Sequence, residues 1–202
     1  MTFNYLRPLM SKFIDPIAKV FAKAGISPNV ISIISLIFAA MAGIYFYYSN
    51  GEPFLVLIAG IFVFLNSFLD AIDGAIARHL NIAGVKGDFL DHVIDRYSDV
   101  FIICGIFLGG HVEWKIGVIT IVGVLLTSYL GTQAQALNIG RYYGGVMGRA
   151  DRLTLIILAS IIYFVYPVYI SGFSVLGWVM VVIAIGSHIT ALQRIIHIWK
   201  RL

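Results

Sequence analysis

A single cysteine, Cys104, occurs among 202 residues, and it lies within an apolar run. One thiol excludes both a disulfide framework and a cysteine-ligated zinc site, so Cys104 reads as a packing residue and redox chemistry is not expected. Charge is scarce as well. Asp, Glu, Lys and Arg make up 12% of the chain, against about 25% in ordinary soluble proteins. Repeats of fixed period, low-complexity tracts and any polar stretch long enough for a sizeable soluble domain are also missing. What is present is apolar: 60% hydrophobic and 14% aromatic residues, with a mean hydropathy of +0.93. The chain reads as an all-α integral membrane protein, for which six spans of roughly 20 residues each would use most of the length.

The apolar runs fall at 30–48, 54–76, 92–109, 115–137, 153–170 and 173–193, with short polar or glycine-bearing links between them. They predict a six-helix bundle over residues 30–193, within a single membrane domain that spans residues 1–202. Before them, residues 5–24 place Leu6, Leu9, Met10, Phe13, Ile14, Ile17, Val20, Phe21 and Ala24 at helical spacing, with Lys12, Asp15, Lys19 and Lys23 between. A one-sided helix too polar to span is expected to lie in the headgroup layer, although packing against its own protein is the plainer alternative. A basic segment of this length does not resemble a short cleavable signal peptide, so the N-terminus is expected to stay in the mature chain.

Six alternating spans put every Lys and Arg but Lys115, out of 14, on one side. Basic residues near span ends are retained on the cytoplasmic side, which predicts cytoplasmic termini in the cell membrane. The same residues hold that face against anionic lipid. Membrane burial accounts for the basicity, and nothing here points to nucleic acid.

Six of the 10 carboxylates crowd into one short stretch: Asp70, Asp73, Asp88, Asp91, Asp95 and Asp99. Aspartates near the hydrocarbon region are costly, so several together imply a counter-cation or a water-filled cavity. Asp70 and Asp73 share one helix face, and Asp91, Asp95 and Asp99 share another. Two such faces can present four oxygen ligands, and oxygen ligands without cysteine favour Mg²⁺ or Mn²⁺. The plainer reading, caps or pairing with Arg78 and Arg96, is preferred for Asp88 and Asp99. Gly74, Ala77 and Gly87 permit close approach, and Arg78 offers charge-assisted bonds to phosphate.

The stretch DAIDGAIARHLNIAGVKGDFLDHVID fits the D-x2-D-G-x2-A-R-x8-G-x3-D-x3-D signature, with eight positions at the right offsets across 26 residues. It resembles the CDP-alcohol phosphatidyltransferase family. That resemblance implies six transmembrane helices behind a juxtamembrane helix, a homodimer, and transfer of a lipid phosphate from a CDP-linked lipid to an alcohol with release of CMP. It also implies two divalent ions on Asp70, Asp73, Asp91 and Asp95, with Asp91 and Asp95 in the catalytic centre and Asp95 as proton acceptor. By the same resemblance Gly74, Arg78 and the segment Asn29, Val30, Ile31 and Ser32 contact the CDP-lipid. The last segment also reads as an ordinary helix start, with Ser27 capping and Pro28 in the first turn.

The acceptor is read from GRYYGGVMGRADRL and from the end of the last span. Arg141, Arg149, Arg152 and Arg194 beside flexible glycines suit a phosphorylated alcohol better than a zwitterion, although each also fits as a positive-inside residue. The arrangement resembles the inositol phosphate branch of the family. Gly131 and Gln133 in SYLGTQAQA stand where its bacterial members carry basic residues, which turns the resemblance toward the archaeal members, whose donor is CDP-archaeol rather than CDP-diacylglycerol. Glycerol 3-phosphate is the alternative acceptor, and a divalent-cation transporter is the alternative class. Span-end aromatics, His92 and His197 are read as interface residues without chemistry.

Overall fold

A computed structural model describes residues 7–82, 84–140 and 142–202. Among these, the helices are α1 (Arg7–Lys23), α2 (Pro28–Ser49), α3 (Pro53–His79), α4 (Val85–Leu108), α5 (Trp114–Ala136), α6 (Arg149–Val165) and α7 (Val175–Trp199). A small antiparallel hairpin, β1 (Tyr169–Ile170) with β2 (Phe173–Ser174), links α6 to α7.

Four of these helices, α2, α3, α5 and α7, are long and apolar enough to cross a membrane. Their outward positions carry Ile37, Ile44, Ile61, Phe64, Val118, Ile119, Val182 and Ile185, all exposed. Apolar side chains displayed along several helices at once fit a lipid surround, and the molecule is a multi-pass membrane protein. Of the six expected spans, α4 and α6 differ for local reasons. α4 begins at Val85, seven residues before its apolar run, because its first turns are polar. α6 begins at Arg149, and the expected run to residue 170 is cut short.

Pro167 is the cause. It lacks a backbone N–H and disfavours helical geometry at the preceding residue, and Tyr166 takes φ −132°, ψ 83°. The chain then turns through Ser171 and Gly172, with φ of 50° and 82°. Glycine adopts that left-handed region without a Cβ penalty. At the start of α2, Pro28 occupies the first turn as expected, and Ser27 has an extended backbone but makes no side-chain capping bond.

The main core gathers Phe46, Val56, Ile102, Ile106, Tyr163, Leu176, Met180 and Ile183. Helix approach in it depends on small residues. A Cβ on Gly105 would run into the Gly43 backbone, and one on Gly60 would lie 2.5 Å from Ser160 Cβ, so α2 meets α4 and α3 meets α6 at nearly backbone distance. A second cluster joins Ile14 and Ala18 of α1 to Ile31, Ile72, Ala75 and Ile76 of α2 and α3. The α1 helix thus packs on its own bundle, with Phe13, Val20, Lys12 and Lys19 on its exposed side.

At the end of the bundle remote from the aspartates, His111 joins three elements. Its Nε2 lies 2.7 Å from Ser49 Oγ and its Nδ1 3.2 Å from Ser174 Oγ. The ring meets Tyr163 edge-on at 5.5 Å. Ser49 donates to Phe46 O, which makes His111 Nε2 the donor to Ser49, while Nδ1 accepts from Ser174. Burial holds this imidazole neutral, with its pKa pushed down to about 4.

Candidate active site

The C-terminal turns of α3 and the N-terminal half of α4 both lie against α2, and acids of the two helices reach toward one another. Ligand oxygens of Asp70, Asp91 and Asp95 all lie within 4.8 Å of one another. Asp70 Oδ1 is buried with no hydrogen-bond partner. A buried carboxylate oxygen without a donor, beside two further carboxylates, fits a divalent cation, and these three residues have the hard oxygen donors that Mg²⁺ or Mn²⁺ requires.

Asp73 stands apart from that trio. It is 5% exposed, and Ser32 Oγ donates to its Oδ2 at 2.5 Å. Of the segment expected to meet CDP-lipid, Ser32 is thereby tied to the acidic cluster. Ile31 is spent in the α1–α3 cluster, and Asn29 and Val30 are exposed. Gly74 leaves space on its face of α3: a Cβ there would lie 3.3 Å from Arg78 Nη1, whose side chain is exposed one turn on.

The first turns of α6 supply the counter-charges. Arg149 Nη1 donates to Asp70 Oδ2 at 2.9 Å and also contacts Asp95 Oδ1. Arg152 Nη2 donates to Asp99 Oδ2 at 2.9 Å. Arg96 Nη2 lies 3.4 Å from Asp95 and 3.8 Å from Asp99. The start of α6 is held by Asp151, which accepts from Gly148 N at 2.8 Å, and by Thr190, which accepts from Met147 N at 2.9 Å.

Between these groups and α5 and α7 lies a cleft of about 130 Å³, lined by Asp95, Arg96, Thr127, Ser128, Arg149, Arg152 and Arg194 among others. Arg194 is 5% exposed, with Nη1 donating to Thr127 O at 2.6 Å and Nε to Gly144 O at 3.0 Å. Gly131 explains how it fits. A Cβ at Gly131 would lie 2.7 Å from Arg194 Nη1, so the missing side chain is the space that this guanidinium fills. Three of the four arginines expected at an acceptor site therefore line one cleft. Arg141 lies outside the described residues.

Several lining groups carry no sequence signal. Thr127 and Ser128 sit in an apolar helix and face the cleft only because α5 packs on α7. His92, set aside from sequence as an interface residue, lines the cleft and approaches Asp88 and Asp91 at 3.9 Å. His197 stacks on Tyr142 with ring centroids 3.6 Å apart. Asp99 pairs with Arg96 as expected, but its nearer partner is Arg152, 53 residues away.

Residues 25–199 match the family model described as CDP-alcohol phosphatidyltransferase. The chain is 34% identical over 197 residues to archaetidylinositol phosphate synthase of Pyrococcus horikoshii, covering 98% of this chain and 96% of that protein. It is 32% identical to the protein of the same name from Methanothermobacter thermautotrophicus, over 98% and 95% of the two chains. In fold it is similar to the crystal structure of Mycobacterium tuberculosis phosphatidylinositol phosphate synthase with CDP-DAG bound: the TM-score is 0.75 at 23% identity, covering 93% of this chain and 94% of that one.

Proposed function

Because the chain belongs to the CDP-alcohol phosphatidyltransferase family, we propose that it transfers the lipid phosphate of a CDP-linked lipid to inositol 1-phosphate (1D-myo-inositol 3-phosphate), releasing CMP. The observation that carries this reading is the junction of two groups: the Asp70, Asp91 and Asp95 oxygens on one wall, and Arg149, Arg152 and Arg194 on the wall of the adjoining cleft. A phosphorylated acceptor needs cationic donors beside the centre that holds the pyrophosphate.

In this reaction the acceptor hydroxyl oxygen bonds to the phosphorus that carries the lipid, the bond from that phosphorus to the CMP oxygen breaks, and the hydroxyl proton passes to Asp95. Asp70, Asp73, Asp91 and Asp95 would hold two divalent ions, Mg²⁺ or Mn²⁺, which when bound neutralise the pyrophosphate and stabilise the departing CMP. The Ser32 bond to Asp73 fixes that carboxylate's orientation, as a supporting hydrogen bond does for a metal ligand. Gly74, Arg78 and the exposed start of α2 at Asn29 and Val30 contact the CDP-lipid. The arginines, with Arg141 included from the sequence, take the acceptor phosphate.

The relatives named for archaetidylinositol phosphate favour CDP-archaeol as donor, with CDP-diacylglycerol as the second choice. All six long helices span the cell membrane as one domain, α1 rests in the headgroup layer, and both termini and the site face the cytoplasm. The working form is a homodimer. Glycerol 3-phosphate would meet the same arginines, and it is the competing acceptor. Cation transport is disfavoured, because the acids sit at one end of the bundle among arginines.

The test is CMP release from a defined CDP-lipid with each acceptor. Release with inositol 1-phosphate and not with glycerol 3-phosphate is expected, and the reverse overturns the reading. Divalent-ion movement across sealed vesicles without CDP-lipid would move the protein into the transport class.

A further inference from the structure

Asp99 takes no part in the carboxylate trio. It lies one helical turn beyond Asp95 on α4, is 2% exposed, and has both oxygens turned to guanidinium groups. Oδ2 accepts from Arg152 at 2.9 Å, and Oδ1 lies 3.6 Å from Arg149 Nε. With Arg152 it borders a small space otherwise lined by Ile102, Ile103, Leu153, Ile156 and Ile183. A buried ion pair beside an apolar wall is seldom kept for stability, since apolar side chains of similar volume usually serve as well or better. Its value at this position is geometric.

We propose that Asp99 is a positioning residue for the acceptor phosphate, acting through Arg152. Among the described residues, Asp99 is the carboxylate paired with Arg152, which is itself 4% exposed. A guanidinium presents its donors in a planar fork, so a carboxylate on one edge fixes where the other edge points. Arg152 lines the cleft together with Arg149 and Arg194. Arg149 Nη2 is buried without a hydrogen-bond partner beside it, a second donor ready for an anion. Asp70 and Asp95, the other carboxylates holding Arg149, are claimed by the proposed cations, whereas Asp99 remains available to the arginines throughout.

This inference rests on the reading of a phosphorylated acceptor, and its test separates the two. Wild-type protein is assayed first with inositol 1-phosphate and with glycerol 3-phosphate; no CMP from either sinks that reading and this assignment with it. With whichever acceptor works, Asp99→Asn is expected to raise the acceptor KM about tenfold or more, with kcat changed less than about threefold. The KM for CDP-lipid and the affinity for Mn²⁺ stay at wild-type values, and Asp99→Glu restores part of the loss. An unchanged acceptor KM, or a fall in kcat alone, overturns the assignment while leaving the acceptor reading intact.

A lone buried Arg152 can prevent Asp99→Asn from folding, so Arg152→Gln and the double variant are compared as well. The double variant leaves no unpaired charge. Residues acting as one unit give the same acceptor KM in Arg152→Gln and in the double variant. A wild-type KM in Arg152→Gln, or a further severalfold rise in the double variant, overturns the proposal.

Discussion

The Arg149 guanidinium donates to Asp70 at 2.9 Å across 79 residues of sequence, and it also reaches Asp95. One side chain from the acceptor wall thus shares carboxylates with the trio suited to a cation. A divalent ion bound by the trio would draw on the same oxygens that Arg149 now contacts. Arg149→Gln is therefore expected to bind Mn²⁺ about tenfold more tightly in the absence of substrates, while the KM for acceptor rises. Calorimetric titration of the metal alone checks this, and an unchanged affinity removes the competition.

Asp91 and Asp95 come from successive turns of α4 and lie 41% and 15% exposed at the trio. Neither supports the apolar core. Asp91→Asn and Asp95→Asn are expected to lose turnover by a factor of about a thousand or more while remaining folded in detergent. Size-exclusion profile and CMP release, measured on the same preparations, decide it. Substantial residual turnover refutes the roles assigned to them.

Gly131 makes room for Arg194. Alanine there places a methyl group against the end of a flexible side chain, so the bundle adapts and the guanidinium is pushed off Thr127 O. The expected result for Gly131→Ala is a severalfold rise in acceptor KM with little change in melting temperature. A wild-type KM would show that Arg194 does not need its present position to serve the acceptor.

His111 predicts a pH response unrelated to catalysis. Its pKa is pushed down to about 4 in the folded protein, below the ordinary value of about 6.5. Between these values the unfolded chain binds the proton and the folded one does not. The stabilisation is complete above pH ~6.5 and declines as pH falls toward ~4, amounting to about 2 kcal/mol between pH 7 and 5. Thermal unfolding in detergent at the two pH values is expected to show a larger fall for wild type than for His111→Gln. Equal falls would mean that the imidazole is not held neutral.

Much of the site was legible because helical spacing is short-range. Acids at intervals of three and four must share a face, so the Asp70–Asp95 stretch could be read as two facing helix surfaces before any fold was known. Arg149 and Arg152 were marked differently, by their place in a glycine-bearing link and by the family resemblance. The turn at residues 166–174 was not legible as a hairpin, since its apolar side chains continue the pattern of the span before it. Proline and a pair of left-handed residues overruled that pattern. The partners of these arginines were also hidden, because Arg152 reaches Asp99 only once α6 is set in the bundle by its packing on α3 and α7.

The sequence alone determined that this chain is a bundle of apolar helices carrying a cluster of carboxylates, since hydropathy and periodicity are properties of adjacent residues. Only the tertiary structure decided which oxygens converge. It separated Asp73, bound by Ser32, from the trio of Asp70, Asp91 and Asp95. It also turned the absence of a side chain at Gly131 into the seat of Arg194. Contacts between residues far apart in the chain depend on how closely helices approach, and that is set by small residues such as Gly43, Gly60 and Gly105, whose effect lies in the space they leave.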